Sequence, residues 1–246
     1  MEEIVRTEDL TKVYQLGRNR KIVGLDSLNL QIYKGEIFGL IGPNGSGKTT
    51  TLKLLLGLLF PTKGNVSIFG KNVESMGVKK DIGYLPESPY YYQYLTPVEL
   101  LNFYAEIFEL KDRKERIEEL LGIIGLKEAR KLKLTHFSKG MLERIGLGVA
   151  LLNDPSLLIL DEPTTGLDPI GSRETRDLFL KLKEEGKTIL LSSHYLSEIE
   201  RVSDRIGILY KGRLLALGGL QELFEKNGVK DVENLFIKII EKESSD

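Results

Sequence analysis

The sequence contains no cysteine, no tryptophan and only two histidines in 246 residues. Without cysteine there is no disulfide and no thiolate metal site, which fits a reducing compartment such as the cytosol. Two histidines argue against a histidine-based metal centre. Long hydrophobic runs are missing too, since none nears the eighteen apolar residues that a bilayer-spanning helix needs. Neither sign of charge dominates: 35 Lys and Arg against 36 Asp and Glu leave a net −1. No bulk field therefore steers the chain to nucleic acid. The opening stretch, MEEIVRTEDL, is too acidic and too short in apolar residues for a signal peptide. What is present, 41% hydrophobic and 29% charged residues, suits one large globular domain or two small ones.

Short apolar runs alternate with helical patterns. EIFGLI (36–41) reads as a strand, followed by a Gly-rich turn and the helix KTTTLKLLLGLL. SLLILD (156–161) is a second buried strand, followed by the helix GSRETRDLFLKLKEEG, which Gly186 can terminate. KTILLSSH is a third strand. This order implies an α/β fold with parallel pairing and helical crossovers. A late hairpin turns at Lys211-Gly212. From roughly 95 to 135 the pattern is purely helical, with Leu100, Tyr104, Ile107 and Phe108 as one stripe and Ile117, Leu120, Leu121 and Ile124 as another. That stretch reads as a helical insert. The tail, DVENLFIKIIEKESSD, reads as a terminal amphipathic helix with a frayed end.

GPNGSGKTT, spanning Gly42, Pro43, Asn44, Gly45, Ser46, Gly47, Lys48, Thr49 and Thr50, fits a phosphate-binding loop between a strand and a helix. Glycines let the backbone N–H groups turn inward, and the helix presents its positive end. Lys48 is positioned to reach the β- and γ-phosphates, and the Thr49 hydroxyl to ligate Mg²⁺. LLILDEP (157–163) ends a buried strand in two carboxylates, which is costly unless they face a cation. Asp161 would hold Mg²⁺ and Glu162 would aim at the attacking water; the bland alternative is two exposed acids. A second helix start, THFSKGMLER, has Ser138 as a cap and Gly140 in its first turn. It is either a plain N-cap or a second anion site.

Taken together, these motifs resemble the ATP-binding cassette (ABC) ATPases, over roughly residues 3 to 225. Tyr14 matches the aromatic that stacks on adenine, or it packs on the N-terminal sheet. GYLPE (83–87) matches the Q-loop, with Glu87 where glutamine is usual. FSKGM (137–141) matches the signature, with Lys139 and Met141 as departures. ILDEPTTGLD (159–168) joins the Walker B strand to the D-loop and its Asp168. His194 matches the switch histidine that contacts the γ-phosphate, or it is an ordinary strand-end histidine. His136 carries no motif and is read as surface.

The resemblance implies a RecA-like, mostly parallel sheet core with an antiparallel N-terminal β part. Its nucleotide-binding core would cover about 1–88 and 140–220. A helical subdomain would cover about 89–139, and a helical tail about 220–246. It implies ATP and Mg²⁺ as cofactors, with Glu162, His194 and Glu87 as catalytic residues and Thr49, Asp161 and Glu87 near the metal. Two such ATPase subunits, a homodimer or a heterodimer, would meet head to tail, so that Ser138 and Gly140 grip a nucleotide held by the partner. Transport would need a separate transmembrane permease subunit, with the ATPase on the inner face of the membrane. Tyr90, Tyr91, Tyr92 and Tyr94 either dock that subunit or pack the insert onto the core. The Glu87 and S-K-G-M variants resemble those of exporter-type ATPases. The alternative is a soluble ABC ATPase that remodels DNA or ribosomes; the balanced charge and lack of a heptad run argue against it, and no nucleic acid partner is expected.

Overall fold

The computed structural model describes residues 2–17, 20–75 and 77–245; Met1 and Asp246, which end two of the stretches read above, lie outside them. In chain order the elements are β1 (Glu3–Leu16), β2 (Arg20–Leu28), β3 (Gln31–Tyr33), β4 (Ile37–Ile41), α1 (Lys48–Leu55), β5 (Lys63–Ile68), β6 (Lys71–Asn72) and β7 (Ile82–Leu85). Next come α2 (Pro97–Ile107), α3 (Arg113–Ile123), α4 (Lys139–Leu151), β8 (Leu157–Asp161) and α5 (Pro169–Glu184). The chain then continues through β9 (Thr188–Ser193), α6 (Leu196–Val202), β10 (Arg205–Tyr210), β11 (Arg213–Gly219), α7 (Leu220–Asn227) and α8 (Val232–Ser245). Two compact units result, residues 1–79 with 188–246, and residues 80–187.

The first unit holds two kinds of sheet. β1 pairs antiparallel with β2, β3 and β5, in the order β2-β1-β5-β6 along the main path. The other strands run β11-β10-β4-β9, with β10, β4 and β9 parallel and β11 antiparallel. β4 and β9 are buried along their whole length. That is why both read as continuous apolar runs rather than alternating ones. The Lys211-Gly212 hairpin forms as expected, with φ of 47° and 82°, the left-handed pair that a tight two-residue turn requires. Helix α1 is shorter than its sequence suggests. It stops at Leu55 because Gly57 turns to φ 62°, and the amides of Leu58 and Leu59 close back on the Lys53 carbonyl. At the other end of the chain, α8 is anchored by buried Val232 and Leu235 and by the Val232 amide donating to Glu200 at 2.9 Å.

In the second unit β7 pairs in parallel with β8, Leu85 opposite Leu160. A capping box of Thr96 and Glu99, with Pro97 following, starts α2. Its buried face is Pro97, Leu100, Leu101 and Ala105. This corrects the expected stripe: Ile107 and Phe108 are exposed, because the helix ends beside them and no described residue buries its last turn. In α3 and at its end, Ile117, Leu120, Leu121 and Ile124 are all buried, as their spacing predicts. α5 ends as expected, with Gly186 at φ 89° and its amide on the Lys183 carbonyl at 2.8 Å.

Candidate functional site

In the first unit β4 delivers the chain to Gly42. A Cβ there would sit 2.3 Å from the Leu209 carbonyl oxygen and 2.5 Å from the Ser46 hydroxyl, so only glycine fits. The loop then passes Pro43, Asn44 and Gly45 and closes at Gly47, which caps α1 at φ 112°. α1 has no side-chain cap and no acid in its first turn. Its N–H groups are thus available to an anion. Lys48 folds back across the loop, and its ammonium donates to the Gly42 carbonyl at 2.8 Å. The Ser46 hydroxyl is buried and has no hydrogen-bond partner among the described residues. Thr50 meets the Tyr14 hydroxyl at 3.1 Å, and the Tyr14 ring covers Gly24, where a Cβ would come within 2.5 Å of it. Tyr14 therefore does pack on its sheet, and in doing so stands at the edge of the Gly42–Thr50 loop.

Two braces of this loop escaped the sequence reading. The Gly212 amide donates to the Ser46 carbonyl at 2.9 Å, and the Asp26 amide to the Gly212 carbonyl at 2.8 Å. A Cβ on Gly47 would lie 2.7 Å from the Gly24 carbonyl. Nothing local to 42–50 signals partners so distant in sequence. His194 follows β9, whose Ser193 pairs with Ile41. It is exposed and stacks on Tyr195 with ring centroids 4.2 Å apart. Gly42 and His194 thus leave adjacent parallel strands at the same carboxyl edge, where ligands bind in sheets of this kind.

In the second unit β8 ends in Asp161, 2% exposed, and Glu162, 6% exposed, follows it. Glu162 has φ 55°, a left-handed backbone that costs a non-glycine residue roughly 1–2 kcal/mol. Such strain persists where the surroundings enforce it. Here the Thr165 amide donates to the Glu162 carbonyl at 3.1 Å, and the Thr165 hydroxyl to Glu162 Oε2 at 3.2 Å. Thr165 was not singled out in the sequence. Burial and the Asp161 carboxylate together push the Tyr84 phenol up to about 12. Glu87, just past β7, is exposed.

Ser138 caps α4, its hydroxyl accepting from the Met141 amide at 3.3 Å. Asp168 likewise caps α5, accepting from the Gly171 amide at 2.7 Å. Both caps open on one cleft of about 490 Å³, lined by Ser138, Lys139, Gly140, Gly166, Leu167 and Asp168 among others. A Cβ on Gly140 would meet Leu167 at 3.4 Å and nothing closer. The chain's own packing gives no reason for that glycine. His136 is exposed, as expected. Among the described residues no group of three or more His, Cys, Asp or Glu side chains could hold a metal ion by itself, and no helix is long and apolar enough to cross a membrane.

The chain's residues 25–165 match the profile of a family described as "ABC transporter". An uncharacterised ABC transporter ATP-binding protein of Nostoc sp. is 46% identical over 236 residues, which cover 94% of this chain and 70% of that protein. The bacitracin transport ATP-binding protein of Bacillus licheniformis is 45% identical over 218 residues, 87% of this chain and 69% of that one. Among solved structures, an ATP-binding subunit of an ABC transporter superposes with TM-score 0.85 at 31% identity, covering 96% of this chain and 99% of the other. A dimeric cassette in a post-hydrolysis state bound to ADP and Pi superposes with TM-score 0.80 at 28% identity, covering 88% and 99%.

Proposed function

The chain belongs to the ABC transporter family, and from that premise we propose how its residues share the work. It is an ATP-hydrolysing, nucleotide-binding subunit that uses ATP with Mg²⁺. Subunits of this family dimerise and pair with membrane permeases.

In the proposed arrangement the loop from Gly42 to Thr50 cradles the phosphates and Tyr14 supports the base. Lys48 neutralises phosphate charge, and the hydroxyl of Thr49 with the carboxylates of Asp161 and Glu87 would hold the cation. Held there, Mg²⁺ would supply positive charge to offset the charge that develops on the phosphates. Mg²⁺ is usually held by one or two carboxylates together with substrate phosphates and water, which fits the lack of a three-carboxylate or histidine cluster among the described residues. Glu162 takes the proton of the attacking water, and His194 contacts the γ-phosphate. Ser138, Gly140 and Asp168 face nucleotide bound on a second cassette, a copy of this chain or a homologue. One observation carries this reading. Gly140 leaves space that no side chain of its own chain needs, at the open end of a helix that favours an anion.

Export is the proposed direction, since relatives are named for bacitracin transport and for linearmycin resistance. Tyr90, Tyr92 and Tyr94 are exposed and form the proposed docking face for a permease, which would hold the ATPase at the inner face of the membrane. Tyr91 turns inward and takes the packing role instead. The test is Glu162→Gln: with ATP it should accumulate as a dimer by light scattering, and a variant hydrolysing at the wild-type rate would remove Glu162 as the base.

A further inference from the structure

Residues 86–95 join β7 to α2 without helix or strand, and this strap is fastened twice to the region of α4. At one end the Leu134 amide donates to the Leu95 carbonyl and the Thr135 amide to the Gln93 carbonyl, both at 2.8 Å. Those two donors lead directly into Phe137 and the cap Ser138. At the other end Tyr91 lies on α4 itself, its hydroxyl 3.1 Å from where a Cβ on Gly146 would be. One turn before Gly146 is Glu143, whose charge acts on Tyr91.

Glu143 is 4% exposed, and among the described residues it has no hydrogen bond or ion pair. Lys139, one turn before it, does not pair with it; that side chain runs along Gly166 instead. The groups acting on this carboxyl are few. Lys139 acts on it from its own helix, while the Glu143 charge and Tyr104 of α2 both act on Tyr91 of the strap. On β7, Tyr84 senses Asp161 instead, and on α3, Arg116 reaches the Leu151 and Leu152 carbonyls at the far end of α4. A neutral carboxylic acid can stay in such a place, but an unpaired carboxylate calls for water. Burial pushes this carboxyl up to about 7, with Lys139 opposing.

We propose that Glu143 is a positioning residue that acts as a proton-dependent latch between the tyrosine strap and the signature helix. Neutral, it lets Tyr91 close over α4 and keeps Tyr90, Tyr92 and Tyr94 in fixed relation to Ser138. Ionised, it draws water beneath Tyr91. The strap then gives way, because it has no ladder of its own to hold it. The latch goes beyond the head-to-tail reading and does not depend on it: Glu162→Gln can dimerise with ATP whether or not a latch exists.

Amide hydrogen exchange on the full chain tests this, each rate being divided by its intrinsic rate at the same pH. In the wild type the Leu134 and Thr135 amides should lose about tenfold protection or more between pH 6 and 8.5. In Glu143→Gln they should lose none, and at pH 8.5 the wild-type Leu134 and Thr135 amides should be less protected than those of β4, which open only with global unfolding. Wild-type protection independent of pH, a parallel fall in Glu143→Gln, or wild-type protection at pH 8.5 equal to that of β4 would each overturn the latch. The Glu143 carboxyl carbon, followed by NMR in the wild type alone, should titrate near neutrality; a midpoint at the ordinary glutamate value of 4.5 would overturn it equally.

Discussion

The Thr165 hydroxyl donates to the Glu162 carboxylate at 3.2 Å while the Thr165 amide closes on the Glu162 carbonyl. One residue thus fixes both the strained backbone and the side-chain direction of the proposed base. A hydrogen bond to a charged group contributes roughly 1.5–3 kcal/mol. Thr165→Val should therefore lower kcat by roughly tenfold to a hundredfold. KM for ATP should stay within about twofold, because Thr165 is assigned no contact with nucleotide. Steady-state ATPase assays read both; a raised KM with unchanged kcat would contradict the assignment.

Removing the base itself is the stronger perturbation. General-base assistance is worth about 10²–10⁴-fold, so Glu162→Gln should lose that much turnover and still bind ATP. Single-turnover hydrolysis combined with equilibrium nucleotide binding separates the two effects.

Lys48 lies across the loop with its ammonium on the Gly42 carbonyl. Lys48→Ala should weaken ATP binding by roughly tenfold or more, from the loss of a charge-assisted contact. AMP, which lacks the outer phosphates, should bind the variant and the wild type alike. Calorimetry with both nucleotides checks the contrast.

Gly140→Ala should separate folding from assembly. Its Cβ meets only ordinary contact within the chain, and alanine favours a helix over glycine by up to about 1 kcal/mol. The variant should thus unfold at the same temperature or higher. ATP-dependent dimerisation in the Glu162→Gln background should nonetheless weaken. A dimer of unchanged affinity would mean that nothing approaches this turn from outside.

Folding raises the Glu143 carboxyl from 4.5 to about 7, so between those values the folded chain holds a proton that the unfolded chain has released. That stabilising contribution is complete below the unfolded value and is lost as pH rises through the folded one. The slope reaches at most about 1.4 kcal/mol per pH unit. Glu143→Gln should flatten the fall, so that it unfolds at a higher temperature than the wild type at pH 8 and similarly near pH 4. Thermal melts across that range decide; curves that stay parallel would exclude Glu143 as the source.

Docking through the strap predicts a sharp difference between neighbours. Tyr90 is 94% exposed, so Tyr90→Ser with Tyr94→Ser should leave thermal stability within about 0.5 kcal/mol. Tyr91→Ser should destabilise the 80–187 unit, because that ring packs on α4 at Gly146. Melting temperatures of the two variants, measured side by side, distinguish the roles.

The sequence by itself determined the glycine-rich loop of Gly42–Thr50 and the Asp161-Glu162 pair. The order of strand and helix around them was equally legible. Each of these is a local event: a glycine-rich turn between a buried strand and a helix, or two acids at the end of an apolar run. Local chain geometry suffices to state it. The boundaries of α2's buried face were not legible in this way, because Tyr104, Ile107 and Phe108 repeat at helical spacing whether or not anything covers them. Likewise four tyrosines in one short segment look alike until packing turns Tyr91 inward and leaves the others in water. Only tertiary structure decided that Gly212 and Gly24 brace the loop and that Glu162 bends into a left-handed backbone. It also decided that Glu143 loses its solvent. The reason is the same in each case: burial and strain depend on which distant segment arrives against a residue, and a one-dimensional pattern does not record the arrival.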